Sequence, residues 1–443
     1  MWQLFLTFLI PMILSNALQS ASQTFSSIFL GRMIGVHALA AVSSMFPIVF
    51  FLISFLIGLS SGSTVLIGQA FGARQEHTMK KIAGTTISVS LVMGFTVGIF
   101  GVLFARPLLQ AIGTPADILA DAVGYSRIIF AILPVFFPYI VYTTFLRGTG
   151  DSATPFYSLI VSTVLSILFT PALIRGWFGL PQLGVESAAV SGFIANVVAF
   201  SALLAYLHYI KHPLRFDREM LRDMKIDWKI LKTVVRIGVP TGLQLVMVAL
   251  AEIAVITFVN RFGSSATAAY GAVNQIVGYV QFPAISIGIT ASIFGAQCIG
   301  ARREDRLSSV IHAGIGLNYV IGALIIGVSY VFAWPILGWF ITDAHTLEIA
   351  HQLLMITLWS YLIFGNSSVL SGVMRSSGTV LWPTAIGIFS IWAVEVPAAY
   401  LLMRHFGLNG VWMGYPIAFC VGLLLQTAYY TFAWKRLTHE RLI

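Results

Sequence analysis

Charged residues are scarce in this sequence. Only 9% of the 443 residues are Asp, Glu, Lys or Arg, whereas 58% are hydrophobic. Soluble globular domains carry about 25% charged residues, so this composition excludes a soluble enzyme and a disordered chain. Cysteine is also scarce, since Cys298 and Cys420 are the two in the chain and both lie in apolar stretches. A disulfide-built secreted protein and a cysteine metal site are therefore not supported, and we expect no metal.

Most of the sequence consists of long apolar runs with few charged residues. They are long enough to cross a bilayer as helices, which satisfy their own backbone hydrogen bonds, and they lack the alternation of a β-barrel. We predict an all-α integral membrane protein with twelve spans. Their approximate limits are 3–30, 38–68, 82–104, 124–146, 154–174, 185–209, 233–260, 267–299, 310–333, 346–374, 380–403 and 410–434.

Lys and Arg are distributed unevenly between the predicted loops. If both termini lie on one side, that side holds nineteen of the 25 basic residues and the opposite side holds six. By the positive-inside rule we expect both termini in the cytoplasm. No Lys or Arg precedes Arg32, so the first apolar run lacks the basic flank of a signal peptide and is interpreted as a retained span.

The segment 211–232 concentrates charge of both signs. It holds seven basic and four acidic residues, and therefore lacks the wholly basic face of a nucleic-acid site. We expect no nucleic-acid partner. The segment is predicted to be a cytoplasmic linker between an N-terminal six-helix lobe, 1–210, and a C-terminal six-helix lobe, 233–443.

The two halves of the chain repeat each other. Residues 69–76 read QAFGARQE and residues 297–304 read QCIGARRE, an offset of 228 with five of eight positions identical. Pro11 corresponds to Pro240 at an offset of 229. Because six is even, both copies insert in the same orientation, an arrangement found in transporters whose substrate path lies between the halves. The repeat therefore favours a transporter, although fold alone does not determine function.

Several motifs resemble those of the multidrug and toxic compound extrusion (MATE) family. Residues 145–151 read FLRGTGD, with Pro155 downstream, and resemble the family's "LRGxGD…P" segment after the fourth span. Residues 29–32 read FLGR and residues 38–41 read ALAA, similar to the "GRLG…ALAA" pattern of the first loop. The QAFGA at 69–73 resembles the family's "QxxGA" end of the second span. The order and repetition of these motifs cover essentially the whole chain.

The resemblance implies a V-shaped antiporter with two parallel-repeat lobes of six helices. Such a protein takes in H⁺ or Na⁺ and expels amphipathic, often cationic, organic compounds by alternating access. The AAYG at 268–271 is most similar to the DinF-like prokaryotic branch. The expected location is then a prokaryotic plasma (inner) membrane. The expected partners are small organic substrates and membrane lipids, with no enzyme activity and no cofactor beyond the coupling ion.

Two alternatives to this function remain open. One is a flippase for lipid-linked or oligosaccharide cargo of the related MOP superfamily, whose members usually have more spans and a cationic cavity; here the deepest charges are acidic. The other is a membrane enzyme or receptor, which would need a clustered catalytic set or a sizeable soluble domain. No Gly-Lys pair occurs, so direct ATP use and an ATPase subunit are not expected.

One departure from the family pattern concerns the first span. Many prokaryotic members carry an Asp six residues before the basic residue of the "GR" motif, whereas counting back from Arg32 gives Ser26. The acidic residue often present in the tenth span is also missing, and the nearest polar side chain is Asn366. A proton site of the usual kind in the N-terminal lobe is therefore in question.

Two acidic residues within spans are the candidates for ion coupling, because charge in a bilayer is costly. Glu252 lies about eight residues before the end of the seventh span, roughly 12 Å deep at 1.5 Å per residue. Glu395 lies in the middle of the eleventh span, two residues before Pro397, which frees a backbone carbonyl. A desolvated carboxyl takes up a proton near neutral pH, and an ionised one attracts Na⁺ or a cationic compound. The alternative for both residues is a polar packing contact.

A polar stripe marks the first span. Asn16, Gln19, Gln23 and Ser26 are separated by steps of three, four and three, which places them on one helical face. In a bilayer such a face meets either protein or a water-filled cavity. Gln23 corresponds to Glu252 at the offset of 229, so one lobe keeps a titratable group where the other has a neutral amide.

Further candidates for lining the substrate cavity are polar or aromatic side chains within spans, each of which is alternatively a helix-packing contact. They are Gln244, Asn274, Gln275 and Tyr139. Tyr139 has a ring that can stack on a planar cation. The sequence places no second acid near Glu252. This favours H⁺ over Na⁺, which generally needs several oxygen ligands.

Overall fold

The computed structural model describes residues 2–437 and 440–442 and is almost wholly helical over them. Within these residues twelve helical segments are long and apolar enough to cross a membrane. The prediction of an all-α protein with twelve spans is confirmed. In chain order, spans 1 to 12 are Trp2–Met33, Val36–Gly72, Glu76–Ala111, Leu119–Gly148, Ala153–Arg175, Gly184–Tyr209, Trp228–Phe262, Ser264–Gly300, Glu304–Val331, Ala344–Ser376, Leu381–Phe406 and Leu408–Arg436.

Several spans extend beyond their apolar runs. The apolar residues of span 3 predict limits of 82–104, whereas the helix covers Glu76–Ala111. The added first turn begins with Glu76, whose negative charge suits the positive end of a helix dipole. A helix can thus extend past its apolar run when charged residues stabilise its terminal turns. A hydropathy pattern does not reveal this extension.

Span 11 is the most irregular span. It consists of an α-helix, Leu381–Phe389, a π-helical segment, Ser390–Glu395, and a second α-helix, Val396–Phe406. Pro397 stands in the first turn of the second helix, where its missing N–H prevents the usual bond to the preceding turn. The wider π turns accommodate this loss, as such segments commonly do at functional sites. Glu395 is the last residue of the π segment.

The internal repeat recurs in the backbone. Arg74 and Arg302 both adopt the left-handed conformation, each with φ of 56°, just after spans 2 and 8. The following amide donates to the carbonyl five residues back in each copy, Gln75 to Ala70 and Arg303 to Cys298, both at 2.9 Å. This geometry closes a helix C-terminus. Both arginines accept a conformation that costs a non-glycine residue about 1 kcal/mol or more, so the two turns fold alike despite different neighbours.

The chain divides into two compact units. The N-terminal unit comprises residues 14–235, and the C-terminal unit comprises residues 1–13 and 236–443. Spans 1 and 7 therefore each contribute to both units. The lobe boundaries of 1–210 and 233–443 stay a prediction.

In the N-terminal unit, glycines bring spans 3 and 4 close together. A Cβ on Gly94 would lie 2.8 Å from the carbonyl oxygen of Leu133, and one on Gly98 would lie 2.7 Å from that of Phe130. Small residues four apart allow such backbone approach, which is the main source of helix association in lipid.

In the C-terminal unit, the first turns of span 1 pack against span 8. The rings of Phe5 and Phe8 lie 5.6 and 5.5 Å from that of Phe294. Phe5 and Phe8 are fully buried, together with Leu9 and Met12. Burial of these side chains gives the start of the chain its place in the unit that contains the second half.

The charged segment between spans 6 and 7 is ordered against span 3 of the same unit. It contains a short helix, Arg218–Asp223, capped by Asp217, which accepts the Met220 amide at 3.0 Å. Lys80 lies 2.7 Å from Asp217 and 2.5 Å from Glu219. Partial burial opposes ionisation of Asp217, but the bonds from Lys80 and Met220 outweigh it and lower the pKa of Asp217 to about 2.

A second ion pair fixes the other end of this segment. Lys81 lies 2.7 Å from Asp227, and its hydrogen bond lowers the pKa of that carboxyl. Asp217, Glu219 and Asp227 of the segment thus form ion pairs with lysines of the N-terminal unit. This arrangement explains why the segment carries both signs of charge.

Candidate functional site

The carboxyl of Glu252 is held by tyrosines inside the C-terminal unit. Glu252, on span 7, is half-buried, and its Oε2 accepts hydrogen bonds from Tyr270 of span 8 and, at 3.3 Å, from Tyr415 of span 12. The two phenolic oxygens are 3.1 Å apart. Hydroxyl donors replace part of the water that a carboxylate loses on burial, which lowers the cost of keeping it charged.

Aromatic packing fixes the tyrosines. The ring of Tyr270 stacks on that of Trp412, with centroids 5.5 Å apart and planes 6° from parallel. Trp412 is fully buried, and Tyr415 is buried beside Phe419. The hydroxyls therefore project from rigid rings toward Glu252.

Glu395 lies in the same cluster. It is 5% exposed, and it is close enough to Glu252 for the two carboxyls to repel each other. Both act electrostatically on Tyr361 and Tyr415. The expectation that Glu252 has no second acid nearby was therefore wrong, because the fold brings span 11 to span 7 over 143 residues of sequence. The argument for H⁺ that rested on this expectation no longer holds.

A cavity of about 220 Å³ adjoins this cluster within the C-terminal unit. Its walls are formed by residues of spans 7, 8, 10, 11 and 12, and polar side chains line part of it. Its polar lining comprises Gln244, Ser367, Ser368, Ser371, Arg375, Ser390, Glu395 and Gln426. Gln244 and Glu395, both candidates from the sequence, therefore line the same cavity.

The other candidates of this unit lie on span 8. Asn274, one turn beyond Tyr270, is exposed and within hydrogen-bonding reach of the Tyr270 hydroxyl. Gln275 is also exposed. Asn274 therefore joins the Glu252 cluster, whereas the structure gives Gln275 no contact with it.

The candidates of the N-terminal unit are the polar stripe of span 1 and Tyr139. Span 1 is one continuous helix, so Asn16, Gln19, Gln23 and Ser26 share a face; Gln19 and Gln23 are exposed and the other two are half-buried. Tyr139 is buried, bonds the Ser158 hydroxyl at 3.0 Å and packs on Phe200. The packing interpretation of Tyr139 agrees with these contacts.

A smaller cavity in the N-terminal unit has a different lining. It measures about 140 Å³ and is bounded by apolar side chains such as Leu52, Ile129 and Phe136. Asn196 is the polar side chain among its lining residues, and its Oδ1 accepts from Ser162 at 3.3 Å. This cavity offers shape and apolar surface but no titratable group.

Sequence reasoning missed Tyr270, Tyr361 and Tyr415. Nothing in a single sequence distinguishes these three from the other tyrosines among fifteen. A weak signal was available on span 8, where Tyr270 and Asn274 are four residues apart and so share a helical face. The importance of the tyrosines depends on which helices become neighbours.

Comparison with known proteins agrees with this architecture. The MatE family model matches the chain twice, over residues 11–172 and 240–401. The two matches are displaced by 229 residues (240 minus 11), the offset that relates Pro11 to Pro240. Each half of the chain is therefore one copy of the family's unit.

Curated relatives resemble the chain over nearly its full length. It is 51% identical to the probable multidrug resistance protein YoeA of Bacillus subtilis (strain 168), covering 100% of this chain and 96% of YoeA. It is 26% identical to the probable multidrug resistance protein YpnP of the same organism, covering 97% of this chain and 94% of YpnP.

Solved structures share the fold. The Vibrio cholerae MATE transporter VcmN in its bent form superposes with a TM-score of 0.90 at 20% identity, covering 98% of this chain and 97% of that one. An outward-facing multidrug resistance MATE family transporter of the MOP superfamily superposes with a TM-score of 0.88 at 21% identity, covering 97% and 94%. Family model, relatives and fold agree that the chain belongs to the MatE family and is a membrane transporter rather than an enzyme.

Proposed function

We propose that this protein is a secondary active antiporter that exports amphipathic or cationic organic compounds in exchange for H⁺ or Na⁺. The observation that carries the proposal is the carboxyl of Glu252, set within a span and bonded by Tyr270 and Tyr415. An intramembrane carboxyl has no structural need that an amide would not meet at lower cost, so it is a functional candidate. The name of the relative YoeA supports multidrug export.

Competition for the Glu252 cluster provides the exchange. Ionised Glu252, which is half-buried within span 7, attracts an organic cation. Uptake of the coupling ion neutralises the carboxyl and releases the compound. Glu395 strengthens this effect, because two close carboxylates repel each other and therefore favour keeping one bound H⁺ or other cation between them.

The orientation and location are part of the proposal. The excess of Lys and Arg on the side of the termini supports cytoplasmic termini, and the bacterial relatives support a prokaryotic plasma membrane. The chain then acts with small organic substrates and lipids, and without nucleic acid or an ATPase subunit. Energy comes from the ion gradient.

The test is efflux of a fluorescent organic cation from proteoliposomes under an imposed pH or Na⁺ gradient. Glu252→Gln keeps the size of the side chain and removes its charge, so we expect gradient-driven efflux to fall at least about tenfold, equivalent to ~1.4 kcal/mol. Glu304→Gln, at the exposed first residue of span 9, is the matched control and should retain full efflux. Efflux by Glu252→Gln at the wild-type rate would refute the assignment, and absence of ion-driven efflux in the wild type would turn attention to lipid-linked cargo.

A further inference from the structure

The last turns of spans 8, 10 and 12 and the first turn of span 9 meet at one end of the C-terminal unit. One side chain from each of these spans is buried in a shared apolar cluster there: Ile299, Leu307, Met374 and Trp434. The indole of Trp434 donates to the Ser377 hydroxyl at 2.9 Å, which ties span 12 to the turn after span 10. The segments 300–307, 374–378 and 434–442 that flank this cluster are therefore neighbours in space.

These three segments carry an excess of positive charge. We call their seven basic residues the basic end: Arg302, Arg303, Arg306, Arg375, Lys435, Arg436 and Arg441. The acidic residues of the same segments are Glu304, Asp305 and Glu440. Over residues 2–437 and 440–442, none of the seven forms an ion pair, and the ion pairs that do form all lie in the N-terminal unit. The protein therefore does not neutralise the basic end as it neutralises Lys80 and Lys81.

Two of these arginines are buried without an acceptor. Nε of Arg375 and Nε of Arg441 are both buried, and neither has a hydrogen-bond partner within the described ranges. Leu442, next to Arg441, packs on Gly378, where a Cβ would lie 2.9 Å from the leucine side chain. The Gly378 amide in turn donates to the Arg375 carbonyl at 2.9 Å, so both arginines lie beside the same turn. A buried guanidinium without an acceptor is costly, so an anion from outside the chain stabilises this arrangement.

Aromatic rings place this end of the unit at the depth of the lipid headgroups. Trp382, in the first turn of span 11, is 61% exposed, and its ring stacks on that of Tyr429 of span 12 with centroids 5.7 Å apart. Trp and Tyr are enriched where a membrane protein crosses the headgroup region. Trp382 and Arg375 stand on either side of the turn between spans 10 and 11. The anionic group that is abundant at this depth is the phosphate of a phospholipid.

We propose that the basic end binds an anionic phospholipid and that Arg375 and Arg441 hold its phosphate. Arginine suits this role, because its planar guanidinium donates two parallel hydrogen bonds to a phosphate and stays charged. Basic pockets between spanning helices bind lipid headgroups in this way. Lys435 and Arg436 are exposed beside the site and attract the negative headgroup. The acyl chains then lie along exposed apolar side chains such as Phe432.

The experiment titrates the purified full-length protein, in a non-ionic detergent, with dioleoyl phosphatidylglycerol and counts the bound lipids by native mass spectrometry. Dioleoyl phosphatidylcholine is the comparison, because it has the same acyl chains and a phosphate but no net charge. We expect the wild type to bind the first phosphatidylglycerol at least about tenfold more tightly than phosphatidylcholine, since several basic residues act on the headgroup together.

Variants of Arg375 test the assignment of the site. Arg375→Gln removes the charge and the forked donors, so we expect the affinity for phosphatidylglycerol to fall at least about tenfold. Arg375→Lys keeps the charge without the fork, and its affinity should lie between those of Arg375→Gln and the wild type. Arg261→Gln is the matched control. It removes one exposed positive charge at the end of span 7, which is the opposite end of the unit, and should bind like the wild type.

A second site variant serves if Arg375→Gln does not fold. Arg441 follows the last span, so Arg441→Gln leaves every span unaltered. We expect it to lower the affinity for phosphatidylglycerol by about fivefold, the order expected for one basic residue near a headgroup. An unchanged affinity in Arg441→Gln would remove this residue from the site.

Three results would overturn the proposal. Equal affinity of the wild type for the two lipids would show that the headgroup charge is not recognised. An equal loss in Arg261→Gln and Arg375→Gln would show an effect of net charge without a defined site. Displacement of the bound lipid by millimolar inorganic phosphate would assign the arginines to a soluble anion instead. The inference goes beyond the proposed antiport, and because no step measures efflux, its outcome does not depend on that proposal.

Discussion

The two halves of this protein are copies of one unit, yet their interiors differ in chemistry. The turns after spans 2 and 8 adopt the same left-handed φ of 56°, so the repeated scaffold is preserved in detail. The C-terminal unit holds Glu252 and Glu395 beside a cavity lined in part by polar side chains, whereas the cavity of the N-terminal unit is lined almost wholly by apolar ones. The two units show that a scaffold can keep its helix packing while its ionisable side chains change. Close approach of helices depends on small residues, whereas ion exchange depends on a few carboxyls.

The largest expected effect compares the repeat-related positions 23 and 252. Gln23→Leu removes a neutral amide from span 1, and we expect gradient-driven efflux to change less than about threefold, since no ionisable group is lost. Glu252→Gln should cost at least tenfold, as stated above. Parallel efflux assays in proteoliposomes measure both. Equal losses of ion coupling in the two variants would contradict the asymmetry between the halves.

A smaller effect is expected from the tyrosines. Tyr270→Phe removes one of two phenolic donors to Glu252, which costs about 1–2 kcal/mol for a bond to a charged group. The concentration of coupling ion needed for half-maximal efflux should shift by about five- to thirtyfold. Tyr139→Phe, which loses only the bond to Ser158 in the other unit, is the control and should leave that concentration unchanged. A shift of equal size in both variants would show a general effect of lost hydroxyls.

The smallest expected effect concerns a feature found in the first copy alone. Lys80 pairs with Asp217 and Glu219, and at the offset of 228 the second copy has Ser308. Lys80→Met should loosen the segment 211–232 by about 1 kcal/mol, visible as roughly fivefold faster amide hydrogen exchange there. Ser308→Met should leave exchange in its own loop unchanged. Unaltered exchange in Lys80→Met would show that the ion pair does not hold the segment.

The same ion pair has a defined pH dependence. The folded pKa of Asp217, about 2, lies below its usual 3.8, so the stabilisation is fully present above about pH 4 and is lost as pH falls toward 2. Amide exchange in 211–232 should therefore rise, relative to that of the span interiors, as pH falls through this window. No such relative rise is expected in Lys80→Met, which has already lost the pair.

The spans were predictable because apolar runs, charge clusters and an even-numbered repeat are properties of the sequence itself. The ends of the helices were less predictable. Span 3, for example, begins at Glu76, before its apolar run, where the negative charge of Glu76 interacts favourably with the helix dipole. The resemblance to the MATE family was predictable from motifs because their order and repetition survive at low identity.

The candidate site was only partly predictable. Glu252 and Glu395 were predictable because an acidic residue within a span is costly. This inference requires no knowledge of which residues lie nearby in the folded protein. Their proximity and the two tyrosine donors depend on which helices pack together, which a single sequence does not encode in readable form. Tyr139 has a ring that can stack on a planar cation, and in the structure its hydroxyl is hydrogen-bonded to that of Ser158.

The most direct test of the central claim, that the exchangeable ion binds at Glu252, is proton release on substrate binding. Purified protein in weakly buffered detergent solution is titrated with an organic cation while pH is recorded. The account predicts that the wild type and Gln23→Leu release protons as the cation binds, and that Glu252→Gln binds without release. Equal proton release by Glu252→Gln and the wild type would contradict it.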